Sequence, residues 1–249
     1  LIGFIGRKTE ERFLVLAFLG YFLPNAFVFT KWTRFIAPVF PILLILGIIF
    51  LEKIKIAKGV KTLIVIILAL PGAIFFLNYL QPDIRFQASD WIFKNIPENA
   101  YILSETANVV DLPLTYKKNI YKNYQYVSFN FYDLDLSQQL QKELEEHLKK
   151  ADYIIVPSRR IFANYTCLWP DNKSNFIDKF VYQKDRCEKL KKQYPLLNEY
   201  YEKLFNGQLG FRLIKTFEPF SSAIFFNDEV AEETWSVFDH PTIRIYRRI

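Results

Sequence analysis

Methionine is absent from all 249 residues, position 1 included, which predicts an internal-to-C-terminal piece of a longer protein. Cysteine occurs twice, too seldom for a disulfide scaffold or a four-ligand zinc site. Histidine also occurs only twice, as His147 and His240, and neither has metal-ligand spacing around it. The H-E-x-x-H, G-x-S-x-G, Walker and G-x-G-x-x-G signatures are all missing after residue 81, so no conventional catalytic motif marks that region. What is abundant is apolar and aromatic surface, at 51% and 18% of the residues. That content excludes disorder, a collagen-like chain and a coiled coil. The length suits one large domain or two ordinary ones.

Charge divides the chain. Residues 1–81 carry nine Lys/Arg against three Asp/Glu, whereas residues 82–249 carry 23 of each. The whole net charge of +6 therefore sits in the first third, in short clusters between apolar runs. Such clustering belongs to a membrane region and argues against a nucleic-acid-binding surface.

Three uncharged runs fill that first third: Phe13–Thr30, Phe35–Leu51 and Thr62–Leu80. Each lies near the length that a bilayer-spanning helix needs, about 20 residues, and together they predict three spans at about 13–30, 35–51 and 62–80. Arg7, Lys8 and Arg12 precede the first run, and Lys53, Lys55, Lys58 and Lys61 separate the second from the third. The positive-inside rule puts both clusters in the cytoplasm. Everything after Gln81 is then extracytoplasmic, on a multi-pass protein of the cell membrane. The short outer turn Lys31-Trp32-Thr33-Arg34 does not fit a simple charge rule. Snorkelling beside an interfacial tryptophan is one reading. The other is an anion site, with Arg34 and Lys31 at the membrane edge facing a lipid-linked phosphate.

Residues 82–249 read as an α/β domain with a small mixed sheet. Ile84, Ala88, Trp91 and Ile92 have helical spacing, and Pro97 ends that helix near Ile96. Ala100–Ser104 follows as a strand. Leu140, Leu144 and Leu148 mark a second helix, capped by Asp135 or Ser137, which leads into the buried strand Tyr153–Val156. Leu197, Tyr201, Leu204 and Phe205 mark a third helix closed by Gly207. Phe211–Phe217 and Thr242–Arg248 complete the strands. A polar and aromatic insertion at about 164–193 interrupts this alternation and holds Cys167 and Cys187. On the outer face these two are candidates for a disulfide, and two unpaired thiols are the alternative. Asp133 and Asp135 have the chemistry of metal ligands or of an acid/base pair, but more commonly cap the following helix. Glu105 and Asp111 lie beyond the first strand, where α/β sites gather, and a solvated loop accounts for them equally.

Three segments resemble a known arrangement. Thr33-Arg34-Phe35-Ile36-Ala37-Pro38-Val39-Phe40-Pro41 is similar to the Arg-aromatic-x-x-Pro-x-x-Pro start of a late membrane helix in the C superfamily of polytopic glycosyltransferases. Within that superfamily the likeness is to the protein O-mannosyltransferase and bacterial lipid A aminoarabinose transferase types. Ala88–Ala100 resembles the helix-turn-strand that opens the outer domain in that superfamily. Glu233-Thr234-Trp235-Ser236-Val237-Phe238-Asp239-His240-Pro241 resembles its closing segment. The resemblance implies sugar transfer from a polyprenyl-phosphate donor to a glycan, lipid or protein acceptor at the outer membrane face. It also implies a catalytic carboxylate, often with a divalent metal nearby, in a first outer loop that this chain does not contain. No catalytic residue, metal site or cofactor is therefore expected in this piece. Arg34 matches the family's membrane-edge arginine, and with Lys31 it would neutralise the donor phosphate as it leaves. The alternative is a non-catalytic, membrane-anchored module whose outer domain binds a cell-surface glycan or protein, its aromatic residues offering stacking faces.

Overall fold

The computed structural model describes residues 9–28, 33–106, 111–114, 123–170, 184–220 and 228–249. The chain divides into two compact units, Leu1–Ala73 and Ile74–Ile249.

The first unit contains helices α1 (Thr9–Ala26), α2 (Thr33–Ile36), α3 (Val39–Lys53) and most of α4 (Lys58–Asn78). The three-span membrane part expected from the sequence is not supported. Among the described residues only α4, with 21 residues, is long and apolar enough to cross a bilayer by length and composition. Two features account for the difference. Helix α1 opens on Glu10, Glu11 and Arg12, and Glu11 is buried against Lys53 Nζ at 2.6 Å. Its uncharged stretch from Phe13 to Ala26 covers about 21 Å at 1.5 Å per residue, short of a hydrocarbon core of about 30 Å. The run from Phe35 is then divided by Ala37-Pro38, so that α3 keeps only 15 residues, or about 22 Å. In α4, by contrast, the chain stays helical through Pro71, and Leu63, Ile66 and Leu68 point outward.

The second unit is built on a five-stranded mixed sheet in the order β2-β1-β3-β5-β4. Its strands are β1 (Tyr101–Glu105), β2 (Gln125–Phe129), β3 (Tyr153–Val156), β4 (Phe211–Phe217) and β5 (Ile243–Arg248). β1 runs parallel to β2 and β3, whereas β5 is antiparallel to β3 and β4. Helices α5 (Ile84–Asn95), α6 (Gln138–Lys150), α7 (Arg160–Tyr165), α8 (Lys184–Gln193) and α9 (Pro195–Phe205) accompany the strands.

Alternation along the strands sorts the core into two layers, because successive strand side chains point to opposite faces. Ile102, Tyr153, Ile155, Ile243 and Ile245 pack with Ile84, Ala88 and Ile92 of α5. Leu103, Ile154, Val156 and Tyr246 face the other way, onto Leu144 of α6, Phe162 of α7 and Leu197, Tyr201 and Leu204 of α9. With helices over both faces, the central strand β3 is buried at all four positions, as a strand covered on both sides requires.

Local chemistry fixes the helix ends. Asp83 caps α5 by accepting a hydrogen bond from Arg85 N at 2.8 Å, and Ile96, before Pro97, is already extended. Ser137 caps α6, its Oγ accepting from Leu140 N. Asp135 serves another helix: its carboxylate accepts from Leu196 N at 2.8 Å and Leu197 N at 3.1 Å, at the start of α9. Gly207, with φ of +79°, ends α9 in the left-handed conformation that a side chain makes costly.

Candidate functional site

The chain leaving β1 turns to β2 on one side of the sheet, while the chain leaving β3 turns towards β5 and β4 on the other. Such a reversal opens a crevice at the C-terminal ends of the two neighbouring parallel strands, the position where open α/β sheets bind their ligands. At this edge the topology brings together Glu105 at the end of β1, the Asn130–Asp133 turn after β2, and Ser158-Arg159-Arg160 after β3. Segment 228–241, which precedes β5, returns to the same edge because Arg244 pairs in register with Val156.

Glu105, the last residue of β1, is 2% exposed. Tyr201 Oη, from α9, donates to its Oε1 at 2.6 Å. Burial raises the Glu105 pKa to about 8, against the opposing effects of that hydrogen bond and of the Arg244 charge. Near neutral pH this carboxyl is mostly protonated. Arg244, fully buried, forms a two-pronged pair with Glu229, Nη1 to Oε1 and Nη2 to Oε2, both at 2.5 Å. Tyr200, next to Tyr201, is 4% exposed, and its hydroxyl has no hydrogen-bond partner among the described residues. Burial and the neighbouring Glu105 push its pKa well above the usual phenol value.

The two arginines after β3 behave differently. Arg159 is a strut: Nε donates to Ser236 Oγ at 2.7 Å and Nη2 to Ala231 O at 2.8 Å. Arg160 faces Glu233 Oε1 at a longer 3.6 Å and lies over the Phe238 ring at 5.1 Å. Asn164 Nδ2 donates to the same Glu233 oxygen at 3.1 Å. Tyr132 is held in place by its backbone N–H, which donates to Asn130 Oδ1 at 3.0 Å, and Asn130 in turn donates to Asp133. The Tyr132 ring meets Tyr165 edge-on at 5.7 Å, and Tyr165 meets Tyr194 at 5.2 Å. Burial raises the pKa of Tyr132 while the Arg160 charge opposes the rise.

The same closing segment has another side. Trp235 packs on Phe75 at 4.4 Å and stacks on His240 at 4.3 Å. Tyr79 Oη donates to Asp239 Oδ2 at 2.5 Å, and its ring meets His240 at 5.0 Å. Phe75 and Tyr79 belong to the second unit, at and just beyond the last turn of α4. Segment 228–241 therefore touches the crevice through Glu229, Glu233 and Ser236, and the end of the apolar helix through Trp235, Asp239 and His240.

Of the residues singled out in the sequence, Lys31 lies outside the described residues. Arg34 lies in α2 of the first unit, with no side-chain position described. Cys167 and Cys187 are joined in a disulfide with a Cα–Cα distance of 5.8 Å, which ties the loop after α7 to α8. Asp133 and Asp135 are occupied in turn and cap geometry, and among the described residues no group of three or more His, Cys, Asp or Glu could hold a metal ion. Sequence reasoning passed over Tyr132, Arg160, Glu233 and the Glu229–Arg244 pair. The Arg159-Arg160 doublet directly after a buried strand was the available signal for the first group; nothing local links residues 229 and 244.

No protein-family profile matches the chain, and no curated protein or solved structure shows significant similarity to it.

Proposed function

We propose that this chain is the C-terminal part of a membrane-bound glycosyltransferase that takes a sugar from a polyprenyl-phosphate donor at the outer membrane face. The observation that carries the reading is the double engagement of segment 228–241. One short stretch packs on the end of the apolar helix through Trp235 and on the crevice through Glu233 and Ser236. This supports a ligand edge that lies, within the second unit, beside the residues that follow Ala73, which suits a substrate carried in a bilayer. This segment is also the one whose sequence resembles the closing segment of the superfamily. The Cys167–Cys187 disulfide is consistent with an oxidising compartment, and so with an extracytoplasmic position for the second unit.

In this reading the bilayer, the lipid-linked donor and an acceptor glycan, lipid or protein are the partners, and the catalytic carboxylate lies upstream of this chain. On chemistry alone, Lys31 and Arg34 are the proposed partners of the donor phosphate, Arg by paired hydrogen bonds and Lys as a point charge; the turn between two spans expected from the sequence is not carried over, because α1 and α3 fall short of a bilayer. The test is donor binding in detergent, using polyprenyl-phosphate mannose and the longer parent protein. Arg34→Ala and Lys31→Ala are each expected to weaken binding about tenfold, or about 1.4 kcal/mol. Unchanged affinity in both variants sinks the assignment of the phosphate site. A second reading, a membrane-anchored glycan-binding module without transfer activity, is favoured by the tyrosines that line the crevice.

A further inference from the structure

The crevice carries a set of side chains whose bonding capacity the fold does not use up. Tyr132 Oη is sealed from solvent yet has no hydrogen-bond partner among the described residues, although Arg160, Glu105 and Glu233 all lie close enough for their charges to bear on it. Tyr126 and Tyr200 share this condition; what sets Tyr132 apart is the Arg160–Glu233 pair beside it, and a buried hydroxyl left unpaired asks for a group that completes it. Arg160 has Glu233 as its acidic partner among the described residues, at 3.6 Å, a separation too long for a hydrogen bond. The guanidinium thus keeps donors to spare, and Glu233, which accepts from Asn164, keeps acceptor capacity. Beside them the rings of Tyr132, Tyr165 and Tyr194 form a row of edge-to-face contacts. All three tyrosines remain partly exposed.

We infer that Tyr132, Arg160, Glu233 and Tyr165 form a saccharide subsite that takes the sugar of a glycan acceptor. A sugar offers adjacent hydroxyls, each both donor and acceptor, and a C–H face that packs on an aromatic ring. A donor group and an acceptor group side by side, flanked by tyrosine rings, match both features. The Arg160 and Glu233 charges balance, which suits a neutral ligand. A phosphate would meet the Glu233 carboxylate beside the Arg160 guanidinium. The inference rests on the transferase reading only in naming the ligand an acceptor; the binding chemistry stands apart from it.

The experiment is saturation-transfer NMR on this chain in detergent micelles. The probes are methyl α-mannoside, methyl β-glucoside, methyl β-galactoside and N-acetylglucosamine, with inorganic phosphate as the anionic comparison. At least one saccharide is expected to bind in the millimolar range. Glu233→Gln and Tyr165→Ala should each weaken it fivefold or more, while Glu146→Gln, on the exposed side of α6, leaves it unchanged. Circular dichroism and an intact disulfide identify folded variants, and Tyr132→Phe, which removes only the orphan hydroxyl, serves if Tyr165→Ala does not fold. No binding by any of the four sugars overturns the inference, as does binding that the crevice variants leave untouched, or displacement by phosphate. Polyprenyl-phosphate mannose is titrated in parallel. If it displaces the bound saccharide, the sugar there is the donor's and the acceptor assignment falls. Saccharide binding by this chain, with no donor binding by the longer parent protein, retains the subsite and removes the transferase reading, and donor binding alone does the reverse.

Discussion

Glu105 is a carboxyl that the fold keeps neutral. Its pKa rises from an ordinary 4.5 to about 8 because burial penalises the charge more than Tyr201 and Arg244 favour it. The folded state therefore holds a proton that the unfolded chain gives up near pH 4.5, and by linkage its contribution is fully present below that pH. Stability then falls as pH rises towards 8, by up to about 1.4 kcal/mol per unit. Glu105→Gln, a neutral isostere that still offers Tyr201 an acceptor, is expected to flatten this slope. Unfolding midpoints measured at half-unit steps from pH 4.5 to 8 check it, and a variant with the parent's slope would show that another group titrates. At this scale the sequence pointed to Glu105 by its place after a strand. It did not reveal Glu229 and Arg244, because their pairing depends on a loop returning to the strand it precedes.

Elements were legible where one physical signal dominated. The 3.6-residue spacing of Ile84, Ala88 and Ile92 and the stop before Pro97 match α5, and the apolar run at Tyr153–Val156 matches β3. β2 was not read, because Gln125–Phe129 is half exposed at the sheet edge and lies among polar residues, so no continuous apolar run marks it. The membrane part failed for the opposite reason. Counting uncharged residues took no account of Ala37-Pro38, which interrupts the helix, or of the acidic turn that opens α1. The disulfide between the loop after α7 and α8 yields a prediction at this scale. Closing a loop of about 20 residues contributes roughly 3 kcal/mol on the chain-entropy model. Reduction, or replacement of both Cys167 and Cys187 by serine, should lower the melting temperature by several degrees; an unchanged thermal scan with and without reductant would count against that stabilisation.

At the largest scale described, segment 228–241 links the sheet of the second unit to the residues that open that unit, Phe75 and Tyr79. Trp235 contributes to it through two ring contacts, with Phe75 and His240, and such pairs add about 0.5–1.5 kcal/mol each beyond the area they bury. Trp235→Ala is expected to loosen the segment while the sheet stays intact. Hydrogen exchange should quicken at least tenfold across residues 228–241 and change little in β1 and β3. Equal acceleration everywhere would mean that the tryptophan supports the fold at large. This junction was not legible from periodicity, since it consists of short 3-10 and π turns whose residues are placed by what they touch.

The strand order also bears on when this unit can assemble during synthesis. β5, the last of the five strands to be made, occupies an interior place and supplies the one strand neighbour of β4. Until it emerges from the ribosome, Phe211–Phe217 has no described strand to pair with, and one side of β3 stays open. Two unpaired edges of this kind invite pairing with other chains, so the interval before β5 arrives is when the nascent protein is most exposed to aggregation.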